Sequence, residues 1–520
     1  MGPTLEVDVC IVGSGPAGAL VASQLARTGK RIAIVEAGAR VDTAEQGRRI
    51  DAGSAPFLIA DNDPRLHVPI RMLSATSWKY FQIRKVGGNS RIWGGSCPRG
   101  LPSQFKPHST HGVGEDWPIS YDDLEPFYCD AEHELGVSGD PDAVPVLPRS
   151  RPYPMPPLAN DYASEVFARA CASLGFSSQT SPMARTTRAY RGRDICQYCN
   201  LNMCSCCPNT ARYKSDYHVD EAIAHGATLL DETVAASLEL GESGRAIALH
   251  CYLPDRSPRT IRAGVFVLAG NAFGSARMLL LSRRRDPRFA VGDATGRYFM
   301  GHPVLEIQAR LPMPVLGARN TFTVISRHFE DGPHIRDAAG SRLLFSCSDQ
   351  SATSHGLQLV SEGRYGKDFK DALRFRAGHG VRATVITDCL PRHDNGLDLD
   401  PESLDDFGLP GVQFRYEYTD YEANGRRIGA QAMAQILDAL HAEQVGEVSY
   451  DLAHQLGTTR MGTDPSTSVV DPTLRVHGVE NVYVTGGSVF PTALGPTNPT
   501  LTIAALSLRL AKHLRETVLA

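Results

Sequence analysis

The stretch VDVCIVGSGPAGALVASQLARTGKRIAIVEAG, residues 7–38, decides the fold. It opens with Val7 to Val12, an apolar run of strand length, and the glycine-rich segment GSGPAG (13–18) follows directly. The residues after this segment have the apolar spacing of a helix, and a second apolar strand ends at Glu36. A strand, a glycine turn, a helix and a strand in this order predict a dinucleotide-binding unit.

Each glycine of this turn has its own steric reason. Gly13 permits the tight turn, Gly15 lets the backbone approach a pyrophosphate, and Gly18 lets the helix pack closely. Glu36 stands about 20 residues further on, where an acidic side chain pairs with a ribose hydroxyl and repels a 2′-phosphate. The candidate nucleotide-binding residues are therefore Gly13, Ser14, Gly15, Pro16, Ala17, Gly18, Glu36 and Ala37.

Two segments near the other end of the chain supply candidate chemistry. His454 opens HQLGTTRMG (454–462), and GPTNPTLTIAALSLRLAKHL (495–514) reads as a loop followed by an apolar helix. We expect Asn498 at the N-cap of this helix and Pro499 at its first position, because a helix start favours these residues. A helix N-terminus carries partial positive charge and stabilises a developing anion. An imidazole and an amide beside it can take a proton and hold an oxygen.

The composition is that of an ordinary globular enzyme. The chain has 520 residues, 42% of them hydrophobic and 21% charged, so it can bury a large core. A net charge of −4 gives no sign of a nucleic-acid or membrane-surface partner. No apolar run reaches the length of a membrane span, and the first strand begins too early for a signal peptide. We expect a cytoplasmic protein, with export on a partner's signal left open.

Most of the chain resembles the glucose–methanol–choline (GMC) family of flavin oxidoreductases. The resemblance implies an α/β fold, in which a Rossmann-like FAD-binding domain joins a substrate domain built on a largely antiparallel sheet. It looks nearest to the branch of pyranose oxidases and of sugar and gluconate dehydrogenases. The matching strings are VGGNSRIWGG (86–95), VFVLAGNAFGSARMLLLS (265–282), GRYFMGHP (296–303), GLPGVQFRYEYTDYE (408–422) and HGVENVYVTGGSVFPTALGPTNPTLTIAALSLRLA (477–511).

The same resemblance implies FAD as the cofactor and extends its candidate site. Pyranose oxidases often tether the flavin through a histidine in the segment that matches Ser90 to Trp93, and no histidine stands there in this chain. The flavin is therefore expected to bind without a covalent bond at that position. The further candidate FAD contacts are Gly87, Gly88, Asn89, Trp93, Gly94, Val234, Ala269, Gly270, Gly487, Ser488, Pro499 and Thr500.

The resemblance also implies roles for the two candidate catalytic residues. His454 acts as the base that takes the alcohol proton, since a neutral imidazole suits this task near pH 7. Asn498 orients the substrate oxygen, and the hydride goes to flavin N5. Many family members have a second histidine where this chain has Asn498. Because an amide is neither acid nor base, the proton transfer is expected to fall on His454 alone.

The order of the motifs predicts a discontinuous domain organisation. Residues 1–100, 195–300 and 450–520 carry the flavin motifs and are assigned to the FAD-binding domain. Residues 101–194 are rich in proline and are expected to form an excursion or lid. Residues 301–449 alternate polar and apolar positions, which favours an antiparallel sheet facing the substrate.

A dense cysteine segment, CQYCNLNMCSCCP (196–208), has three open interpretations. Its spacing suggests an iron–sulfur cluster with Cys199, Cys204 and Cys207 among the ligands, and some related glucose dehydrogenases carry such a cluster. Another metal such as zinc is a second interpretation. Structural thiols without any metal are the third, and they are preferred.

The leading functional hypothesis is oxidation of a secondary alcohol of a sugar or glycoside, in the manner of a pyranose oxidase. Either O2 or an electron-carrier protein takes up the electrons. The alternatives are a sugar or gluconate dehydrogenase with an iron–sulfur cluster and a partner, a lipid or sterol alcohol oxidase, and a lyase that keeps its flavin without redox turnover. The sequence leaves the substrate, the oxidised carbon and the oligomeric state open.

Overall fold

The computed structural model of the chain describes residues 4–42, 62–74, 82–143, 146–198, 207, 209–289, 291–315, 322–347 and 352–519. Its helices, numbered in chain order, are α1 (Pro16–Ala26), α2 (Pro107–His111), α3 (Tyr121–Leu135), α4 (Tyr162–Ser173), α5 (Asp216–Ala224), α6 (Asn271–Arg285), α7 (Ala352–Ser361), α8 (Gly366–Arg376), α9 (Asp420–Ala439) and α10 (Thr500–His513). Its strands are β1 (Thr4–Val12), β2 (Ile32–Val35), β3 (Ile70–Met72), β4 (Gln179–Thr180), β5 (Thr228–Leu230), β6 (Val234–Leu240), β7 (Ala246–Tyr252), β8 (Pro258–Leu268), β9 (Met300–Arg310), β10 (Val324–Phe329), β11 (Ser341–Cys347), β12 (Gly380–Thr387), β13 (Gly396–Leu404), β14 (Pro410–Arg415), β15 (Gln444–Leu456) and β16 (Val482–Val484).

The first sheet has the strand order β5-β2-β1-β8-β7-β6, and β16 also pairs with β8. The strands β1, β2, β8 and β16 are parallel, and their last residues are in register. Val12 lies opposite Val35 and Leu268, and Val484 also lies opposite Leu268. The carboxyl ends of these strands therefore meet at one edge, where α/β folds bind their ligands. The predicted Rossmann-like sheet is confirmed.

The second sheet, in the order β15-β9-β12-β11-β10-β4, is antiparallel, as predicted for the substrate side of the molecule. Helices α4 and α9 pack against it. The Phe167 ring of α4 stacks on the Phe345 ring of β11 at 5.5 Å, and Met433 of α9 is fully buried. One face of this sheet is therefore apolar and is covered by helices. The division into domains stays a prediction, and β15 runs across its boundary at residue 450.

A small sheet and a helix join distant parts of the chain near the flavin motifs. A small sheet, β13-β14-β3, joins residues 70–72 to two strands that lie between β12 and β15 in the chain. Helix α10 packs against α1 and α3, with Leu501 and Ala505 fully buried. Helix α10 therefore packs on the helix that follows the nucleotide turn. In the described ranges, no helix combines the length and the apolar character that crossing a bilayer needs.

Candidate active site

The glycine turn has the steric properties that a nucleotide site needs. Gly13 has φ +104°, and a Cβ there would lie 2.5 Å from the Ala269 carbonyl oxygen. A Cβ on Gly18 would collide with the Gly13 carbonyl oxygen. A Cβ on Gly15, in contrast, would meet no atom within 4 Å. Gly15 precedes α1, and no side-chain cap is present there for the first N–H groups of the helix. The turn is packed where it touches protein and open where a pyrophosphate is expected.

Glu36 lies under the turn and links it to the segment around residue 87. The Ser14 hydroxyl donates to the Glu36 carboxylate at 2.6 Å, and the Ser14 and Gly38 backbone N–H groups donate at 3.1 and 3.0 Å. The Gly87 N–H in turn donates to the Ser14 hydroxyl at 3.1 Å. Burial raises the pKa of the Glu36 carboxyl, and the hydrogen bonds from Ser14 and Gly38 lower it. The role of this carboxyl as a ribose partner stays a prediction.

The 86–95 segment faces the glycine turn. A Cβ on Gly88 would lie 3.6 Å from the Gly15 Cα, and a Cβ on Gly94 would meet nothing within 4 Å. The Asn89 side-chain oxygen accepts from the Ile83 N–H at 2.8 Å, and the Trp93 indole N–H donates to a backbone carbonyl at 2.8 Å. These two side chains therefore attach the segment to residues 83 and 213. Because its glycines have no side chain, the segment leaves room beside the nucleotide turn.

The remaining FAD candidates surround the same edge of the first sheet. Ala269 and Gly270 follow β8, and the Ala269 N–H donates to the Val12 carbonyl at 2.8 Å. Val234 begins β6, and the residue before it donates its N–H to the Glu36 carbonyl at 2.9 Å. The Ser488 hydroxyl is buried and has no hydrogen-bond partner among the described residues. An unpartnered hydroxyl, open glycines and an uncapped helix fit a polar dinucleotide such as FAD.

His454 enters this site from a local irregularity in β15. The pairing of β15 with β9 shifts register between Ala453 and Leu456, and His454 has φ +59°. Irregularities of this kind re-aim side chains next to active sites. Beyond it, the Gly457 and Thr459 N–H groups donate to the carbonyls of residues 487 and 488 at 3.0 and 2.9 Å. The segment after His454 is therefore fixed alongside Gly487 and Ser488.

The imidazole of His454 makes two contacts. Its Nε2 lies 3.1 Å from Asn498 Nδ2, as the sequence prediction of a paired site requires. Its Nδ1 lies 2.8 Å from Nδ1 of His302, the third residue of β9. His302 is fully buried and was not predicted as a site residue. The only sequence signal was its place in the family string GRYFMGHP, since the second sheet brings it to His454 across 152 positions.

A buried arginine sets the direction of the Asn498 amide. Arg342 of β11 donates to Asn498 Oδ1 at 3.2 Å and to the Thr497 hydroxyl at 3.1 Å. An arginine can only donate, so the amide oxygen faces Arg342 and the amide nitrogen faces His454. Arg342 also contacts the buried Glu330 carboxylate, which accepts from Arg327 at 2.7 Å. Asn498 is thus held by the Arg342 guanidinium, whose charge is paired with the Glu330 carboxylate.

Both histidines are neutral near pH 7. Burial, and then the nearby charge of Arg342, lower the pKa of His454 from 6.5 to about 3. Burial lowers the pKa of His302 well below its ordinary value, and His454 and Arg342 add to this effect. Because Asn498 donates to His454 Nε2, the ring proton of His454 lies on Nδ1 and points at His302. An alcohol placed between Nε2 and the amide would donate to the first and accept from the second.

The prediction that Asn498 caps the last helix is wrong. Helix α10 begins at Thr500, its N-cap is Pro499 with φ −81° and ψ −9°, and no side chain caps it. The Asn498 amide is already engaged by Arg342 and His454, so it is not available to the helix N–H groups. Pro499 and Thr500 still place the uncapped helix start beside the His454 site.

The cysteine segment is mostly outside the described residues, including Cys199 and Cys204. Cys207 is described as a free, partly buried thiol, and its sulfur accepts from the Arg212 N–H at 3.3 Å. Elsewhere in the described ranges, the ligand atoms of His302, Asp388 and Cys389 lie within 4.8 Å of one another. Burial raises the pKa of Asp388 to about 7 and that of Cys389 well above its ordinary value, so the Cys389 thiol stays protonated near pH 7. We assign no metal to this group.

Comparison with known proteins identifies the family. Models described as GMC oxidoreductase match residues 33–304 and 391–507, and one described as FAD binding domain matches residues 6–55. The fructose dehydrogenase large subunit of Gluconobacter japonicus is 32% identical, and the match covers 98% of this chain and 97% of that protein. The 6'''-hydroxyparomomycin C oxidase of Streptomyces lividus is 30% identical, with 98% and 92% covered.

A solved structure shares the fold over the whole chain. The pyridoxine 4-oxidase from Mesorbium loti superposes with a TM-score of 0.66 at 17% identity, covering 98% of this chain and 99% of that one. This likeness concerns the fold, whereas the family models and the two relatives concern descent. The chain therefore belongs to the glucose–methanol–choline oxidoreductase family and is an FAD-dependent oxidoreductase that acts on CH–OH groups.

Proposed function

We propose that this enzyme oxidises a secondary alcohol of a sugar or glycoside. The observation that carries the proposal is the 3.1 Å pair of His454 Nε2 and Asn498 Nδ2, which lies beside the uncapped start of α10. The two relatives named above act, by their names, on a sugar and on an aminoglycoside. A site with one acceptor and one donor suits a neutral hydroxyl better than an anionic substrate.

The residues divide the chemistry between them. His454 accepts the hydroxyl proton at Nε2 and becomes cationic, with its other proton held against His302. The Asn498 N–H stabilises the oxygen that loses the proton, and Arg342 keeps that N–H directed at it. FAD, when bound by the 13–18 turn, Glu36 and the 87–94 segment, supplies the hydride acceptor. We expect it to bind without a covalent bond to the protein.

The electron acceptor divides the proposal into two candidates. An oxidase uses O2, as the name of the Streptomyces relative indicates for that protein. A dehydrogenase passes electrons to a carrier, and the Gluconobacter relative is a dehydrogenase subunit. The cysteine segment 196–208 is where an iron–sulfur cluster of this second candidate would bind. The predicted cytoplasmic location stays a prediction.

Anaerobic reduction of the bound flavin tests the substrate class. Purified protein is mixed with free sugars, glycosides including aminoglycosides, sugar acids and sterols, and flavin absorbance is followed. We expect bleaching by a sugar or glycoside and none by a sterol. Bleaching by sterols alone would overturn the proposal in favour of a lipid alcohol. Absence of bleaching by every alcohol would favour a lyase.

Two further measurements separate the acceptors. Peroxide formation in air at the rate of flavin reduction supports the oxidase. Fast reduction of a dye without peroxide supports the dehydrogenase, and iron and acid-labile sulfide in the purified protein then test for a cluster. Release of the flavin by acid precipitation tests the expectation of non-covalent binding.

A further inference from the structure

We propose that Asp388 and His302 form a positioning pair behind His454, which fixes its tautomer and stabilises the positive charge that it gains. This inference rests on the proposed function, in which His454 is the base. Both residues act through the imidazole of His454.

The strand register places the pair. Strands β9 and β12 are antiparallel, with Val304 opposite Ile386. His302 and Asp388 continue this register by two residues on each strand, so they lie opposite each other at the end of the sheet. On its other side His302 pairs with Ala453, next to the base. The sheet therefore holds Asp388, His302 and His454 in one row.

The hydrogen-bond directions along this row follow from Arg342 and Asn498, which lie on the other side of His454. Arg342 donates to the Asn498 oxygen, and the Asn498 N–H donates to His454 Nε2. The proton of neutral His454 must then be on Nδ1, where it is donated to Nδ1 of His302. The proton of neutral His302 is consequently on Nε2. That N–H is fully buried and has no hydrogen-bond partner among the described residues.

Asp388 is the acidic group that faces this N–H. Its Oδ1 lies 4.0 Å from His302 Nε2, and the Asp388 side chain is 19% exposed. Hydrogen bonds of catalytic groups are often long in an empty site and shorten when the substrate binds. The Gly495 carbonyl also faces the ring, and it is the competing acceptor. If Gly495 holds the ring, Asp388 has no part in positioning it.

The charges around Asp388 suit a carboxyl whose ionisation changes when a cation forms nearby. The Cys389 N–H donates to its Oδ1 at 2.8 Å, while Glu422 on α9 and Glu330 lie near enough to repel its charge. Burial and these two acids raise the pKa of Asp388 to about 7. A positive charge on the His454 ring favours the carboxylate form of Asp388, with the His302 ring between the two groups. The arrangement is that of a base, an orienting ring and a terminal acid.

A double-mutant cycle on the holoenzyme tests whether Asp388 acts through His302. The rate constant of flavin reduction at saturating substrate is measured for Asp388→Ala, His302→Gln and the double variant. We expect Asp388→Ala to lower the rate about tenfold, with KM little changed, since one hydrogen bond to a charged group is lost. In the His302→Gln background it should have less than about a twofold effect. An equal effect in both backgrounds, or none in the parent, would overturn the proposal.

Two variants control for general damage. Asp388→Asn keeps the shape and an acceptor oxygen, so it should recover part of the rate lost in Asp388→Ala. Asp394→Ala removes a 73% exposed acid from the same segment and should leave the rate unchanged. Flavin content and melting temperature are recorded for each. If Asp388→Ala does not fold, the comparison of Asp388→Asn in the two backgrounds decides the question.

Histidine-selective 15N NMR tests the tautomers without using activity. His302→Gln and His454→Gln assign the two rings. We expect unprotonated Nδ1 in His302 and unprotonated Nε2 in His454, with the His302 preference reduced in Asp388→Ala. The opposite tautomers in the parent would overturn the proposal. This result is independent of the substrate panel, so it separates failure of the positioning pair from failure of the proposed function.

Discussion

The Nδ1 atoms of His302 and His454 lie 2.8 Å apart, so one proton joins the two rings. Because Asn498 occupies the other side of His454 at 3.1 Å, that proton is on Nδ1 and the lone pair of Nε2 faces the amide. The proposed base is therefore oriented before any substrate arrives. This orientation depends on side chains from β9, β11 and β15, which can be changed one at a time.

Replacing His454 by alanine should remove the base and leave the cofactor site intact. We expect flavin reduction to slow by about 10²- to 10⁴-fold, the usual contribution of general acid–base catalysis. Bound flavin should be retained, since the hydrogen bonds of the imidazole to described residues go to His302 and Asn498 and to none of the flavin candidates other than the loop before α10. Stopped-flow absorbance measures the rate, and His108→Ala, at an exposed position, is the control. A nearly unchanged rate would place the base elsewhere.

Replacing Asn498 by alanine should affect the rate and spare the helix. Loss of one donor to a developing oxyanion slows reactions by about 10²- to 10³-fold. The melting temperature should change less than in Ser120→Ala, which removes a side-chain cap from α3 and costs about 1 kcal/mol. Thermal unfolding compares the two variants. A larger loss in Asn498→Ala would mean that this residue supports α10 after all.

The sequence allowed prediction of the features that local spacing determines. The roles of Gly13 and Gly18 follow from steric limits within one turn, and the structure has the contacts that make them necessary. The prediction that Asn498 is the N-cap was wrong because the sequence around a helix start shows only which residues suit a cap. It does not show that Arg342, 156 positions away, engages the Asn498 amide.

The residues behind the base could not be predicted for a related reason. His302 and Asp388 have no sequence spacing that relates them to His454. The antiparallel register of β9 with β12 and β15 brings them together. Any alternating sequence is compatible with several registers, so a row of side chains across three strands appears only once the pairing is known.

Replacing Gly15 and Gly18 by alanine should separate cofactor binding from folding. A methyl group on Gly15 meets no protein atom within 4 Å, so Gly15→Ala should fold with an unchanged melting temperature in the flavin-free form. It should bind FAD much more weakly, because the methyl group enters the space left for the pyrophosphate. Gly18→Ala should destabilise the protein itself through its clash with the Gly13 carbonyl. Fluorescence titration of flavin-free protein measures the affinity, and normal flavin binding by Gly15→Ala would contradict the site assignment.

The pH dependence of flavin reduction should reveal the charge of Arg342. A histidine base works only above its pKa, and burial followed by Arg342 lowers the pKa of His454 from 6.5 to about 3. As the pH falls, protonation of the base should therefore begin only well below 6.5, where a free histidine titrates. Protonation of Asp388, whose pKa is raised to about 7, should lower the rate by no more than the effect of Asp388→Ala, about tenfold. A larger decline centred near 6.5 in the parent enzyme would contradict this expectation.

Arg342→Met removes the charge, so the acid limb of the profile should move to higher pH. Burial remains the larger cause, so the limb should not reach the value of a free histidine. Arg342→Lys keeps a cation, so the acid limb should stay at the pH it has in the parent. Both variants lose the hydrogen bond that directs Asn498, so both should be slower than the parent at every pH. Glu330 stays paired with Arg327 in each case. The measurement is the pH at half-maximal reduction rate, and identical values for the methionine and lysine variants would show that the charge of Arg342 does not act on His454.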